Sequence, residues 1–153
     1  MEKLFKSTRG NQTPIDFYTS ILQGIASDGG LLVPDFDFEK KNLEELLSLN
    51  YVDLATEIIS TFAPSDAKEA LHTACNQAYG EGLFCDEVVP VKKAGNVYVA
   101  ELYQGPTAAF KDMALSMLPR MMTLSLKKKG EEREVLILAA TSGDTGKAAL
   151  EGF

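Results

Sequence analysis

The apolar positions of the chain change period near residue 80. Before it they recur at helical spacing. Thr13-Pro14-Ile15-Asp16 reads as a helix start, with Thr13 as N-cap, Pro14 at the first helical position and Asp16 in capping-box position. Phe17, Ile21, Leu22 and Ile25 then form one apolar stripe. Asp28-Gly29-Gly30 ends that helix, and Leu31-Leu32-Val33 reads as a short buried strand closed by Pro34. Asn42 caps a short helix carrying Leu43, Leu46 and Leu47, with Glu45 in capping-box position. Asn50 caps a second, whose buried face is Leu54, Ala55, Ile58, Ile59 and Phe62. Pro64 breaks it, and Ser65 caps a third with Ala67, Ala70, Leu71, Ala74 and Ala78 on one face. A stripe of such small residues predicts a close helix contact.

Gly80-Glu81-Gly82 marks a boundary, so residues 1–80 read as a mostly helical unit and 81–153 as the beginning of an α/β domain. In the second part, Val88-Val89-Pro90-Val91 is extended and Asn96 to Tyr103 alternates as a strand does. A helix is expected from Asp112 to about Lys129, with Pro119 either kinking it or lying near its true first turn. Its methionines, Met113, Met117, Met121 and Met122, have the spacing of core packing. Lys127-Lys128-Lys129 falls where the helix ends and complements its dipole. The unbroken run Val135-Leu136-Ile137-Leu138-Ala139-Ala140 predicts a central strand buried on both faces, as in a parallel sheet.

Two stretches carry candidate chemistry. Lys111 lies between Ala108-Ala109-Phe110 and Met113-Ala114-Leu115. Burial of its ammonium would favour the neutral amine, the form that makes an imine with a carbonyl. The same pattern also suits a surface lysine whose stem lies over apolar neighbours. Thr141-Ser142-Gly143-Asp144-Thr145-Gly146 joins the apolar run to a helix start at Lys147-Ala148-Ala149-Leu150. Glycines there allow close backbone approach, free N–H groups at a helix start favour an anion, and Ser142 and Thr145 add hydroxyls. Asp144 is costly in an anion cradle and can instead cap the helix; a plain strand-to-helix turn has the same pattern. The loop is neither a dinucleotide-binding glycine fingerprint nor a Walker A loop.

Composition narrows the classes. The 153 residues suit one ordinary domain, and 45% hydrophobic with 24% charged residues read as globular and soluble. A net charge of −7 argues against nucleic acid or an anionic membrane as partner. Cys75 and Cys85 have neither CxxC nor metal-ligand spacing and fit a reduced, cytoplasmic setting. The single histidine, His72, rules out a His-rich zinc site and reads as a helix-surface residue. No segment has the length and apolarity of a membrane span, and the first six residues lack the apolar core of a signal peptide.

Three motifs, in order, resemble one family. Gly105-Pro106-Thr107 followed by Ala109-Phe110-Lys111-Asp112 resembles the lysine segment of the threonine synthases. Ser7-Thr8-Arg9-Gly10 with Asp28-Gly29-Gly30-Leu31-Leu32-Val33-Pro34, and Thr141 to Gly146, resemble the same family. The resemblance covers nearly the whole chain but only the first part of the family's length. It implies a truncated α/β fold: a helical N-terminal unit, then the first strands and helices of the fold type II, tryptophan synthase beta-like sheet used by pyridoxal-phosphate enzymes.

It also implies an activity, the conversion of O-phospho-L-homoserine and water to L-threonine and phosphate. Pyridoxal 5'-phosphate would be held as an imine on Lys111, with Asp144 near its ring. Ser142, Gly143, Asp144 and Thr145 would hold the carboxylate end of the substrate. No metal is implied. Gln104 departs from the family, which commonly has histidine there; an amide hydrogen-bonds but does not titrate near neutral pH. The chain is expected to be a fragment lacking full activity, with an exposed sheet edge through which it associates with itself. A phospho-lyase giving 2-oxobutyrate and a non-catalytic phosphate-binding domain are the alternatives.

Overall fold

The computed structural model describes residues 3–80 and 82–153, so Glu81 of the expected boundary, and Met1 and Glu2, lie outside the described residues. The chain opens with a strand the residue pattern does not announce, β1 (Leu4–Ser7). It is the middle strand of a three-stranded antiparallel sheet, between β2 (Ile15–Asp16) and β3 (Leu32–Pro34). Leu4 pairs with Asp16 on one side, and Phe5, Lys6 and Ser7 face Pro34, Val33 and Leu32 on the other. Pairing with β1 takes Ile15 and Asp16 out of the expected helix. The first helix, α1, is therefore Phe17–Gln23, and its N-cap is Asp16, not Thr13. The Asp16 carboxylate accepts from the backbone N–H of Tyr18 at 3.0 Å and from the Thr19 hydroxyl at 2.6 Å. Ile25 and Leu31 fall beyond these elements and are exposed, against the expectation that both are buried.

The motif at the start and the glycine turn that follows α1 are one clasp. Asp28 accepts from the Ser7 hydroxyl at 2.6 Å, from Gly30 N–H at 2.9 Å and from Asn11 N–H at 3.0 Å, while Arg9 donates to the Asp28 carbonyl at 2.9 Å. A side chain at Gly30 would run into the Ser7 hydroxyl.

The helical stretch starts at the expected caps, but its expected apolar faces are only partly buried: Ala55, Ile59 and Phe62 pack against the core, while Ile58 is 43% exposed and Leu43 and Leu47 are exposed. Asn42 caps α2 (Leu43–Leu47) through Glu44 N–H, and Asn50 caps α3 (Tyr51–Ser60) through Asp53 N–H. After Pro64 the chain makes a 3₁₀ turn, Ser65–Ala67, that leads directly into α4 (Lys68–Tyr79). Ser65 makes no side-chain capping hydrogen bond, and the 3₁₀ turn runs straight into α4. Ala67, Leu71, Ala74, Cys75 and Ala78 are buried on the face of α4 that meets the rest of the core. His72 lies on the other side, 3.1 Å from Asp53.

Past residue 82 the elements are β4 (Val91–Ala94), β5 (Val97–Ala100), α5 (Asp112–Leu115), α6 (Leu118–Lys129) and α7 (Asp144–Gly152). β4 and β5 form an isolated antiparallel hairpin around Gly95-Asn96, with Gly95 at φ 61°. Val88, Val89 and Pro90 precede the hairpin without joining a strand. Pro119 lies in the first turn of α6, so the expected long helix is two helices, broken at Ser116-Met117. α6 packs on α1 and α4, and Met117 joins their core. Its last turn carries Lys127, Lys128 and Lys129 and ends at Gly130 in the left-handed region. Lys128 pairs with Asp66 at 2.8 Å, and Lys129 with Asp16 at 2.6 Å.

The run Val135–Ala140 is not a buried strand. It has no ladder partner among the described residues, and Leu136 and Leu138 are 80% and 85% exposed. An apolar run becomes a central strand only when flanking strands take its backbone hydrogen bonds. No parallel strand pair occurs among the described residues. The chain is α/β, as expected, with two small antiparallel sheets and seven helices described.

Two outcomes follow. Leu71 is 0% exposed, and Leu71→Ala is expected to cost roughly 2–5 kcal/mol in denaturant unfolding. Burial raises the Asp16 pKa, but the hydrogen bonds from Lys129 and Thr19 outweigh it and bring it from 3.8 down to about 2. A folded-state pKa below the unfolded value stabilises the chain above pH 3.8, and that contribution is lost as pH falls towards 2. Asp16→Ala is therefore expected to cost about 1–2 kcal/mol at neutral pH, the difference from the unsubstituted chain shrinking through that acid window in urea titrations.

Candidate active site

The turn carrying Lys111 is built around a buried carboxylate. Asp112, 1% exposed, accepts from Thr107 N–H at 2.8 Å and from the Thr107 hydroxyl at 2.6 Å. A carboxylate withdrawn from water must find such donors or lose several kcal/mol, on the order given by transfer data. The backbone between the two residues is closed further by Ala108 N–H on the Gly105 carbonyl and Asp112 N–H on the Ala109 carbonyl, each at 3.0 Å. Ala108 takes φ 54°, the one left-handed non-glycine residue described. That conformation costs an alanine roughly 1 kcal/mol or more, and the surrounding bonds hold it there. Gly105 lies hard against the carboxylate: a Cβ there would sit 2.6 Å from the Asp112 side chain and 2.9 Å from the Phe84 ring.

Lys111 stands at the N-cap position of α5. It is half-buried, less enclosed than its apolar neighbours in the sequence suggest. Its Nζ lies 4.9 Å from the centroid of the Phe110 ring, and among the described residues no carboxylate forms an ion pair with it. Asp112, next in the chain, points its charge at Thr107 instead. The first turn of α5 is also anchored from α4, because the Tyr79 hydroxyl donates to the Met113 carbonyl at 2.7 Å. Burial pushes the Tyr79 phenol well above its ordinary pKa, so it remains a donor.

The second stretch, Thr141 to Gly146, leads into α7. Ser142, Gly143 and Asp144 are exposed and Thr145 is half-buried. The residue that organises the loop is Thr141, whose hydroxyl accepts from Gly143 N–H at 3.1 Å and Gly146 N–H at 3.0 Å. Asp144 is the first residue of α7 and makes no cap, so the capping role expected of it belongs to Thr141. Gly143, at φ 143°, makes the turn that allows this. No hydrogen bond claims the backbone N–H of Ser142, Asp144 or Thr145 among the described residues. Three open donors at a helix start suit an anionic group. α7 packs on α5, with Gly152 directly against the Leu115 carbonyl, so the two stretches share one packed unit. No hydrogen bond joins Lys111 to residues 142–145 among the described residues.

Gln104 donates to Glu101 at 3.0 Å, and Glu101 pairs with Lys92 at 2.9 Å. The amide at this position thus ties the lysine turn to the hairpin. The sequence pattern did not single out Thr107, Tyr79 or Thr141. A Thr directly after Gly-Pro and five residues before an Asp is the one local signal that could have found the first. The described residues hold no cluster of three or more His, Cys, Asp or Glu suited to a metal ion. No helix among them is long and apolar enough to cross a membrane.

Comparison with known proteins bears on both stretches. Residues 4–79 match the family described as the threonine synthase N terminus. The threonine synthase of Pseudomonas aeruginosa is 42% identical over 152 residues, spanning 95% of this chain and 31% of its own length. The solved structure of PLP-bound threonine synthase from Brucella melitensis superposes with a TM-score of 0.87 at 35% identity, covering 99% of this chain and 33% of that one. Threonine synthase from yeast gives a TM-score of 0.83 at 31% identity, again over 99% of this chain and 33% of its own. The chain thus spans about a third of the length of these relatives. On the family match, the sequence identity and the superposition together, this chain belongs to the threonine synthase family and corresponds to its N-terminal portion.

Proposed function

We propose that this chain supplies the cofactor lysine and the substrate-carboxylate loop of a threonine synthase, which turns O-phospho-L-homoserine and water into L-threonine and phosphate. The observation that carries the reading is the Lys111 amine, presented on a strained, clamped turn and, among the described residues, with no carboxylate in an ion pair with it. An uncompensated, reachable amine fits a cofactor bound through its aldehyde, pyridoxal 5'-phosphate. When bound, that group would act as the electron sink for loss of the α-proton. Lys111 would hold it through Nζ, and its amine, once released by the substrate's own amine, would move protons at the substrate's α, β and γ carbons. The amine lies over the ring of Phe110, 4.9 Å from its centroid.

Ser142, Gly143, Asp144 and Thr145 are the proposed substrate contacts. The open N–H groups of Ser142, Asp144 and Thr145 suit the substrate carboxylate, and the exposed Asp144 faces outward as a group near the cofactor ring would. Residues 1–80 form the N-terminal unit in this reading and 81–153 the start of the cofactor domain; the family match ending at residue 79 supports that division. Cytoplasmic residence goes with it, supported by Cys75 and Cys85 being unpaired. Self-association is supported by the exposed Val97, Tyr98 and Val99 of the hairpin and by Leu136 and Leu138.

Labelling is the test suited to a chain one third the length of its relatives. Incubation with pyridoxal phosphate, borohydride reduction and peptide mapping are expected to place the adduct mainly on Lys111 and to lose it in Lys111→Ala. Label spread evenly over the lysines would overturn the reading. Anion binding indifferent to Lys111→Ala would favour a non-catalytic domain, and 2-oxobutyrate in place of threonine as product would favour a phospho-lyase. Thr141→Val is expected to cost α7 roughly 1 kcal/mol, seen as weaker hydrogen-exchange protection at Gly146 with the protection of α4 unchanged.

A further inference from the structure

The bonds around Asp112 do more than a four-residue helix requires. An ordinary cap for α5 would be an exposed side chain bonding the first turn. Here the carboxylate is fully buried, turns back along the chain and takes both donors of Thr107, the backbone N–H and the hydroxyl. Room for it exists only because residue 105 lacks a Cβ. Between these fixed points Ala108 is held in the left-handed region, three residues before Lys111. Tyr79 fixes the other side of Lys111 by bonding the Met113 carbonyl. Lys111 is therefore pinned from both sides, while its own amine lies over the Phe110 ring and joins no ion pair among the described residues. Backbone strain maintained this way, beside a reactive group, marks a segment whose geometry matters more than its stability.

We propose that Asp112 and Thr107 are positioning residues for Lys111, the hydroxyl–carboxylate bond between them setting the turn that aims the amine at its aldehyde partner. The inference rests on Lys111 being the cofactor lysine, but its residues are distinct from those expected to touch cofactor or substrate. Thr107 and Asp112 make no bond to the amine; they act through the backbone of residues 107–112. The hydroxyl is thus required for reactivity at a site it does not contact.

The test compares the unsubstituted chain with Thr107→Val, Thr107→Ser and Asp112→Asn. Each is labelled with limiting pyridoxal phosphate and borohydride, and the share of label on Lys111 is read by peptide mapping, alongside the thermal unfolding midpoint. Thr107→Val is expected to lower the Lys111 share on the order of tenfold, the weight of one lost hydrogen bond to a charged group. Thr107→Ser, which keeps the hydroxyl, is expected to restore it, and Asp112→Asn to fall between. A purely structural role would move the midpoint of the valine variant without moving the distribution of label among lysines in the folded fraction. Unchanged Lys111 labelling in Thr107→Val, or equal loss in the valine and serine variants, overturns the proposal. Trace acetylation with acetic anhydride separates it from the cofactor reading. If the unsubstituted chain shows no preference for pyridoxal phosphate at Lys111, the cofactor reading fails. The positioning role then stands if Thr107→Val changes Lys111 acetylation relative to Lys147, and falls if it does not.

Discussion

The small-residue face of α4 is the constraint from which the rest of the molecule follows. Ala67, Ala74 and Ala78 let α3 and α6 pack closely against this helix, with Leu71 and Cys75 filling the space between them. Because α6 comes from the second part of the chain, this contact joins the N-terminal helices to the segment that carries Lys111. Larger residues at those positions would separate the helices and cost the dispersion contacts of a dense interior. Met117, at the break between α5 and α6, belongs to the same core, so the end of the lysine segment is fixed by apolar packing and its beginning by polar bonds.

Those polar bonds repeat one device. Asp28, Asp16 and Asp112 each collect a hydroxyl and at least one backbone N–H from a nearby turn: Ser7 with Gly30 and Asn11, Thr19 with Tyr18, and Thr107 through both of its donors. A carboxylate accepts several such bonds at once, and so can define a loop that has no ladder to hold it. The three differ in environment. Asp28 is half-buried, its pKa lowered chiefly by the Ser7 hydroxyl; Asp16 is half-buried and shared with Lys129; Asp112 is sealed. The most deeply buried of the three clasps lies at the turn before Lys111.

In other places the surface is apolar and unpaired. The hairpin exposes Val97, Tyr98 and Val99, and the Val135–Leu138 run exposes apolar side chains with no neighbouring strand described. The same segments superpose on solved threonine synthases over 99% of this chain while covering a third of theirs. Their path therefore resembles that of the longer relatives, although among the described residues the hairpin has only its own two-stranded ladder and the Val135–Leu138 run has none.

Helices with strong local signals were legible in the sequence. Asn42 and Asn50 cap where their spacing says, the small-residue stripe along α4 is buried except at Ala70, and Lys127–Gly130 ends α6, since caps and apolar periodicity act over a few residues. The lysine turn and the Thr141–Gly146 loop were legible as motifs, because glycine, proline and hydroxyl residues carry their backbone preferences with them. The pairing partners were not. β1 became a central strand and displaced the cap from Thr13 to Asp16, while Val135–Ala140, the most strand-like run in the chain, formed no strand. Nor did local pattern show that Asp112 turns back to Thr107 or that Tyr79 reaches Met113. The sequence by itself determined which segments coil into helices and which are candidates for chemistry; tertiary structure alone decided which backbone groups and side chains meet. Strand pairing and buried hydrogen bonds depend on partners distant in the chain or on the reversal of a loop, and neither is encoded in the residues of one segment.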